Sequence, residues 1–191
     1  MSRPDINLIY DLIKGRKSRF IYGERDGRPY IYPRPSPEEE SPAKQEAQRK
    51  FRRGAAYARA VMADPALRAP YEVIATRRED SLYRVILTDY LKGPKVLVID
   101  LSAFGGFVGQ PIRIEAEDDC EVMSLTVAIR AADDTLLEEG AAVYDAVSLK
   151  WVYAAAAAHP TGNPITITAT AVDRPGNKGS KTEGWGPLPS E

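Results

Sequence analysis

The chain has 191 residues, of which 43% are hydrophobic and 28% are charged, so it has the size and composition of one or two soluble globular domains. A net charge of -1 argues against a globally basic protein that binds nucleic acid. One cysteine and one histidine exclude an internal disulfide, a multi-cysteine metal site and most histidine-based chemistry. The residue pattern offers no catalytic constellation, and we expect the protein not to be an enzyme.

The near-neutral total hides an uneven distribution of charge. Residues 1–55 carry 13 lysines and arginines against 8 acidic residues, whereas residues 93–191 carry 7 against 14. Such asymmetry is typical of an arm that binds an anionic partner, or of head-to-tail contact between copies. The alternative is that two regions have differently charged solvated surfaces.

The sequence has no apolar run of the length that a membrane span requires, and we expect none. The N-terminus also lacks the apolar stretch of a signal peptide. We therefore expect a cytoplasmic location, with non-classical export to the outside as the alternative.

Residues 1–40 are predicted to form an extended arm. Two aromatic, β-prone runs flank Asp26-Gly27, which predicts a β-hairpin, and the Pro-rich stretch 33–37 predicts a stiff linker. An isolated two-stranded hairpin is marginally stable in water and needs a surface to pair with or pack on. We expect self-association through six residues of this hairpin: Phe20, Ile21, Tyr22, Tyr30, Ile31 and Tyr32.

Residues 41–94 predict three short amphipathic helices. Ser41 is the expected N-cap of the first, Asp64-Pro65 separates it from the second, and Gly93-Pro94 ends the third. Pro70 is expected to break or offset the second helix. The apolar stripe of the first helix is predicted to consist of Ala47, Phe51, Ala55, Ala58 and Met62.

The opposite face of the first helix is basic, with Arg49, Lys50, Arg52 and Arg53 as its candidate phosphate-binding residues. Tyrosines of the arm would then stack on bases. Three successive glutamates at 38–40 and a pI near 6.0 argue against a nucleic-acid partner, and a solvated helix face is the alternative.

Residues 95–180 have the period of β-strands. About seven short runs alternate apolar and polar residues between Asp- and Gly-rich turns, which predicts a β-sandwich. Ala154 to Ala158 is assigned to a strand, and residues 181–191 are predicted to be a flexible tail. The expected fold is α+β: a hairpin arm and a short helical region, followed by an all-β immunoglobulin-like sandwich.

The last predicted strand, Ile165 to Asp173, followed by Pro175-Gly176-Asn177, resembles the ending of bacterial immunoglobulin-like domains of surface and filament proteins. The first two regions are similar to the N-terminal halves of a family of small uncharacterised bacterial proteins. Those share an aromatic hairpin, a Pro-rich stretch and a helix that opens like Pro42-Ala43-Lys44-Gln45. The resemblance implies a sandwich fold and a non-catalytic role, and it carries over no catalytic residues.

Acidic turns supply candidate metal ligands at Asp118, Asp119 and Asp173. Calcium takes six to eight oxygen ligands, which loops of a β-sandwich can provide. The spacing of an EF-hand is absent, so we expect no cofactor, with calcium as the alternative. Cys120 lies among acidic residues that disfavour a thiolate, and His159, beside Pro160, is expected in a surface loop.

Two functional hypotheses follow. The first is a non-catalytic structural protein that assembles through its N-terminal arm into homo-oligomers or filaments. The second is a binding module that recognises a protein, a glycan or nucleic acid. Its support in the sequence is the set of aromatic residues Trp151, Tyr153 and Trp185, which it requires to be exposed.

Overall fold

The computed structural model describes residues 20–25, 28–33, 41–159 and 162–186. The predicted hairpin turn at Asp26-Gly27, the linker beyond Pro33 and residues 187–191 of the predicted tail lie outside the described residues. The chain divides into two compact units, Met1–Gln48 and Arg49–Glu191. The helices from residue 49 onward therefore form one unit with the residues that follow.

The first unit contains two strands, β1 (Phe20–Arg25) and β2 (Arg28–Pro33), which pair antiparallel. Ile21 lies opposite Tyr32 and Tyr22 lies opposite Ile31, so the two aromatic runs pair within one chain. All six predicted self-association residues lie on these strands. Among the described residues each strand is paired on one side, which leaves an edge where a further strand could add.

Three helices follow: α1 (Pro42–Ala63), α2 (Pro65–Arg78) and α3 (Leu82–Leu91). The predicted number of helices is confirmed. Asp64 caps α2 by accepting a hydrogen bond from the backbone N–H of Ala66 at 2.8 Å. Pro70 lies inside α2 without ending it, so the expected break does not occur. The proline removes one backbone hydrogen bond, and the buried side chain that follows it, Tyr71, holds this turn of the helix against the core.

The helices enclose a small core of Ala58, Val61, Tyr71, Ile74, Ala75, Val85 and Ile86. The predicted stripe of α1 is wrong for most of its members: Ala58 is buried, but Phe51 is 51% exposed. Gly54, Ala58 and Val61 form the inner face instead. A Cβ atom on Gly54 would lie 2.9 Å from the ring of Tyr90, so the lack of a side chain there lets α1 approach α3 closely.

Eight strands follow in the described part of the chain. Their bounds are β3 (Lys95–Asp100), β4 (Pro111–Glu117), β5 (Val122–Ala131), β6 (Leu136–Ala141), β7 (Val143–Asp145), β8 (Lys150–Ala154), β9 (Ile165–Asp173) and β10 (Lys178–Trp185). They form two four-stranded sheets with the orders β3-β4-β8-β7 and β10-β9-β5-β6. Every pair of neighbouring strands is antiparallel.

The inner faces of the two sheets share one hydrophobic core, as in a β-sandwich. β9 shows the alternation best, because Ile165, Ile167, Ala169 and Ala171 are buried while the residues between them are not. Ile112 and Ile114 of β4 contribute from the other sheet. The predicted α+β arrangement with a β-sandwich is therefore confirmed at this level.

Three details of the sandwich differ from the predictions. The strand assigned to 154–158 ends at Ala154, because the following residues turn to bond Glu138. The predicted tail begins too early, since β10 continues to Trp185, whose ring lies 5.0 Å from that of Phe104. Tyr153 is buried, and Trp151 and Trp185 are half-buried against the core, so these aromatics are not the exposed set that the binding hypothesis requires.

Within the described residues, no helix combines the length and hydropathy that crossing a lipid bilayer requires.

Candidate functional site

Three acidic side chains meet where α3 approaches the ends of the two sheets. Asp89 lies near the end of α3, Asp118 in the turn after β4, and Asp173 at the end of β9. One carboxylate oxygen from each lies within 4.8 Å of those of the other two. We call these three residues the acidic cluster.

Asp89 is the most deeply buried member of the acidic cluster, with no exposed surface. The hydroxyl of Tyr71 donates to its Oδ2 at 2.5 Å and the Cys120 thiol also contacts the carboxylate, while its Oδ1 has no hydrogen-bond partner. Burial raises the pKa of Asp89 to about 6, and the nearby charges of Asp118 and Asp173 act in the same direction. A negative charge here is costly unless something compensates it.

Asp118 shapes the turn between β4 and β5. Its Oδ2 accepts hydrogen bonds from the backbone N–H groups of Cys120 at 2.9 Å and Glu121 at 3.0 Å. Its Oδ1 is buried and has no hydrogen-bond partner in the described residues. One oxygen of this carboxylate therefore fixes the loop, and the other lacks a donor.

Asp173 and Asn177 join the β9–β10 turn to α3. The backbone N–H of Asn177 donates to Asp173 Oδ1 at 2.6 Å, and its side-chain amide donates to Oδ2 at 2.7 Å. The same amide lies 3.3 Å from the carbonyl oxygens of Asp89 and Tyr90. Burial raises the pKa of Asp173. The Asp and Gly-Asn ending noted in the sequence thus holds a member of the acidic cluster in place.

The charged side chains around the acidic cluster have other partners. Arg78 and Lys92 both pair with Asp119, with the Lys92 Nζ to Asp119 Oδ1 distance at 3.1 Å. Arg174 pairs with Glu121 at 2.6 Å, and its guanidinium lies 5.7 Å from the ring centre of Tyr71. In the described part of the chain, no ion pair links a basic side chain to a cluster member.

The predicted ligands are therefore only partly brought together. Asp118 and Asp173 meet, whereas Asp119 is held apart by its two ion pairs. Asp89 was missed because the sequence places it in a helix rather than in a loop. Its spacing from Val85 and Ile86 put it on their buried side of α3, and an acidic residue on an apolar stripe is the signal that could have found it.

Cys120 and His159 each lie beside a carboxylate, Asp89 and Glu138 respectively. Burial and the neighbouring Asp89 raise the pKa of the Cys120 thiol to about 12, which keeps it protonated. His159 is buried, not in a surface loop as expected, and its Nε2 lies 3.1 Å from Glu138 Oε2. Glu138 also accepts hydrogen bonds from Tyr153 and from two backbone amides, so its oxygens are already occupied.

The four predicted basic residues Arg49, Lys50, Arg52 and Arg53 are all exposed on α1. Lys50 has a structural contact, because its Nζ donates to the carbonyl oxygen of Leu91 at the end of α3 at 2.8 Å. The six arm residues lie on β1 and β2, whose backbone pairing is described above.

One sheet edge carries exposed apolar side chains. Val143 and Tyr144 of β7, with Val147 and Leu149 of the turn before β8, make up this apolar edge. Val147 is 94% exposed and Val143 is 72% exposed. β7 is the outermost strand of its sheet among the described residues, so its outer backbone edge is available for pairing.

Comparison with known proteins finds no matching family model and no matching curated protein. One solved structure with a weak likeness is the crystal structure of a conjugative transposon lipoprotein from Bacteroides eggerthii DSM 20697. It is 11% identical, covers 48% of this chain and 93% of its own, and superposes with a TM-score of 0.23. The likeness therefore extends over about half of this chain.

Proposed function

We propose that the protein is a non-catalytic assembly subunit, in which the hairpin of one copy pairs with the apolar edge of the next. The observation that carries the proposal is the exposure of Val143, Tyr144, Val147 and Leu149 beside the outermost strand of a sheet. Natural proteins protect sheet edges because such edges recruit other strands. An edge that is both apolar and open is therefore suited to strand addition.

The occupant we assign to this edge is the β1–β2 hairpin of a second copy. The hairpin is rich in β-prone aromatic residues, and two strands alone are marginally stable in water. Residues 1–55 have an excess of basic residues and residues 93–191 an excess of acidic ones, so head-to-tail contact brings opposite charges together. Contact of this kind builds filaments when it does not close into a ring.

We also propose that the sandwich is immunoglobulin-like. Its two sheet orders, β3-β4-β8-β7 and β10-β9-β5-β6, correspond to strands A-B-E-D and G-F-C-C′ of that architecture. The single cysteine means that the inter-sheet disulfide of antibody domains is missing. The relation therefore rests on strand order and on the Asp173–Asn177 turn.

A non-catalytic role is supported by the state of the reactive groups. The oxygens of Glu138 are occupied by hydrogen bonds, and burial keeps the Cys120 thiol protonated. His159 is held by Glu138 inside the sandwich. A general base needs an accessible, unoccupied acceptor within reach of a substrate, and none of these three groups offers one.

Replacement of Val143 and Val147 by lysine in the same chain tests the edge. Both side chains are exposed, so the fold is retained, while the added charges prevent a strand from adding. We expect light scattering and negative-stain images to show particles or fibres for the unmodified protein and monomers for the double variant. Val108→Lys is the matched control, because Val108 is 62% exposed and lies outside the apolar edge.

Assembly of the double variant to the same mass as the Val108→Lys control would contradict the proposal. A monomeric unmodified protein at every concentration would also contradict it. The open edge would then favour the binding-module alternative, with a different protein as the occupant.

A further inference from the structure

The acidic cluster has more negative charge than its surroundings compensate. The groups that contact Asp89, Asp118 and Asp173 are hydroxyl, thiol, amide and backbone N–H donors, all of them neutral. The basic side chains of Arg78 and Lys92 pair with Asp119, and that of Arg174 pairs with Glu121. Three carboxylates held together without a cation repel one another strongly in a buried place.

Two buried carboxylate oxygens of the acidic cluster have no hydrogen-bond donor, which is a second, independent observation. Asp89 has no exposed surface, yet its Oδ1 has no donor, and the buried Oδ1 of Asp118 has none either. Buried carboxylate oxygens nearly always have a partner, and leaving one without a partner is costly. Two such oxygens in one cluster point to a ligand that completes them.

The geometry of the acidic cluster fits a single ion. Magnesium binds oxygen at about 2.1 Å and calcium at about 2.4 Å, so two oxygens on opposite sides of one ion lie about 4–5 Å apart. One oxygen from each of the three carboxylates lies within 4.8 Å of the others. An all-carboxylate set of donors favours hard cations over zinc or copper.

We infer that Asp89, Asp118 and Asp173 bind one hard divalent cation, magnesium or calcium. The ion joins α3 to the turn after β4 and to the end of β9, three segments that are far apart in the sequence. Asp118 and Asp173 are retained from the predicted calcium ligands, and Asp89 takes the place of Asp119. The site is independent of the proposed assembly through the apolar edge.

Binding is tested on the full-length protein, freed of metal with EDTA and titrated with calcium alone and magnesium alone. We expect one of the two ions to bind saturably with one ion per chain by calorimetry, and to raise the Tm. The two titrations distinguish calcium from magnesium. Terbium luminescence, excited through tyrosine, gives a second readout, because the Tyr71 hydroxyl bonds Asp89 directly.

Asp118→Asn is the informative variant, because its amide oxygen can still accept the two backbone hydrogen bonds that shape the turn. We expect it to weaken ion binding by about tenfold or more. In EDTA it should be at least as stable as the unmodified protein, because it removes one of three repelling charges. Asp119→Asn is the matched control and should keep the affinity, since Asp119 pairs with Arg78 and Lys92.

Either of two results would overturn the inference. One is the absence of saturable binding of both ions at millimolar concentration, which would mean that shared protons stabilise the cluster. The other is equal affinity of the Asp118→Asn and Asp119→Asn variants, which would place the ion elsewhere.

Discussion

The side chain of Asn177 shows how one residue fixes a junction between two regions of a protein. Its amide nitrogen lies 2.7 Å from a carboxylate oxygen of Asp173 and 3.3 Å from the carbonyl oxygens of Asp89 and Tyr90. Because the last carbonyl groups of a helix lack intrahelical donors, an amide that reaches them from a turn is stabilising. The acidic cluster is held in place by this contact.

The buried hydrogen bonds of Glu138 predict how stability depends on pH. Burial by itself would raise its pKa, but hydrogen bonds from two side chains and two backbone amides lower it overall, below the usual value of 4.5. A carboxylate whose folded-state pKa is lowered contributes stability that is present above the unfolded-state pKa and is lost as the pH falls through the folded-state value.

We expect Glu138→Gln to lower the free energy of unfolding by about 1–3 kcal/mol at pH 7. The NH2 group of the glutamine would face hydrogen-bond donors where the carboxylate offers acceptors. The difference from the unmodified protein should shrink as the pH falls below 4.5, the ordinary value for this carboxyl. Urea unfolding midpoints at pH 7 and pH 3 measure both quantities. Glu139→Gln, on the exposed neighbour, serves as the control, and a difference that does not change with pH would contradict the assignment.

At the residue scale, the sequence identifies loop carboxylates better than helical ones. Asp118 and Asp173 follow alternating strands and so stand out as turn residues near a sheet end. Asp89 looks like an ordinary polar residue of a helix unless its spacing from Val85 and Ile86 is followed, which places it on the buried face. Its meeting with Asp118 and Asp173 depends on contacts far along the chain, which periodicity does not encode.

At the scale of elements, β10 passes close to the residue that precedes β3, at Gly179. A Cβ atom on Gly179 would lie 1.8 Å from the carbonyl oxygen of Pro94. Gly179 pairs with Ala171 in one sheet, while Pro94 immediately precedes the first strand of the other. The two sheets therefore meet at a point where only a hydrogen atom fits.

Gly179→Ala tests this crossing. The added methyl group meets backbone atoms that cannot rotate away, so we expect a loss of about 3 kcal/mol in the free energy of unfolding. Gly184→Ala in the same strand is the control, because a Cβ atom there meets nothing within 4 Å. Equal stability of the two variants in chemical unfolding would show that the sheets can move apart at this point.

The elements that sequence reasoning found and those it missed differ in what buries them. β9 is buried on one face and alternates clearly, so its pattern alone identifies it. β10 has few apolar residues and is an outer strand, and its pairing with β9 determines its conformation. The stripe of α1 was predicted from the spacing of apolar residues, which put Phe51 on the inner face, whereas close packing against α3 selects Gly54, which that spacing did not include.

At the scale of the whole molecule, the uneven charge gives a prediction about assembly. Contact between a basic arm and an acidic sandwich is weakened by salt, because the Debye length falls from about 10 Å at 0.1 M to about 3 Å at 1 M. We expect the mass of the particles measured by light scattering to fall as the salt concentration rises. Deletion of residues 1–35 should leave a folded monomer at low salt.

Two outcomes would contradict this account of assembly. A mass that stays constant or rises with salt would indicate contacts that are purely apolar. Normal assembly of the protein without residues 1–35 would exclude the arm as the connecting segment.

The end of α3 has a consequence for motion. Two of its last carbonyl groups, those of Tyr90 and Leu91, lie within hydrogen-bonding distance of Asn177 in the β9–β10 turn and of Lys50 in α1, respectively. A rotation of the helices as one body against the sandwich would break the contact with Asn177 and keep the contact with Lys50, because Lys50 itself lies in a helix. Asn177 is therefore a contact through which a displacement of α3 would reach the β9–β10 turn.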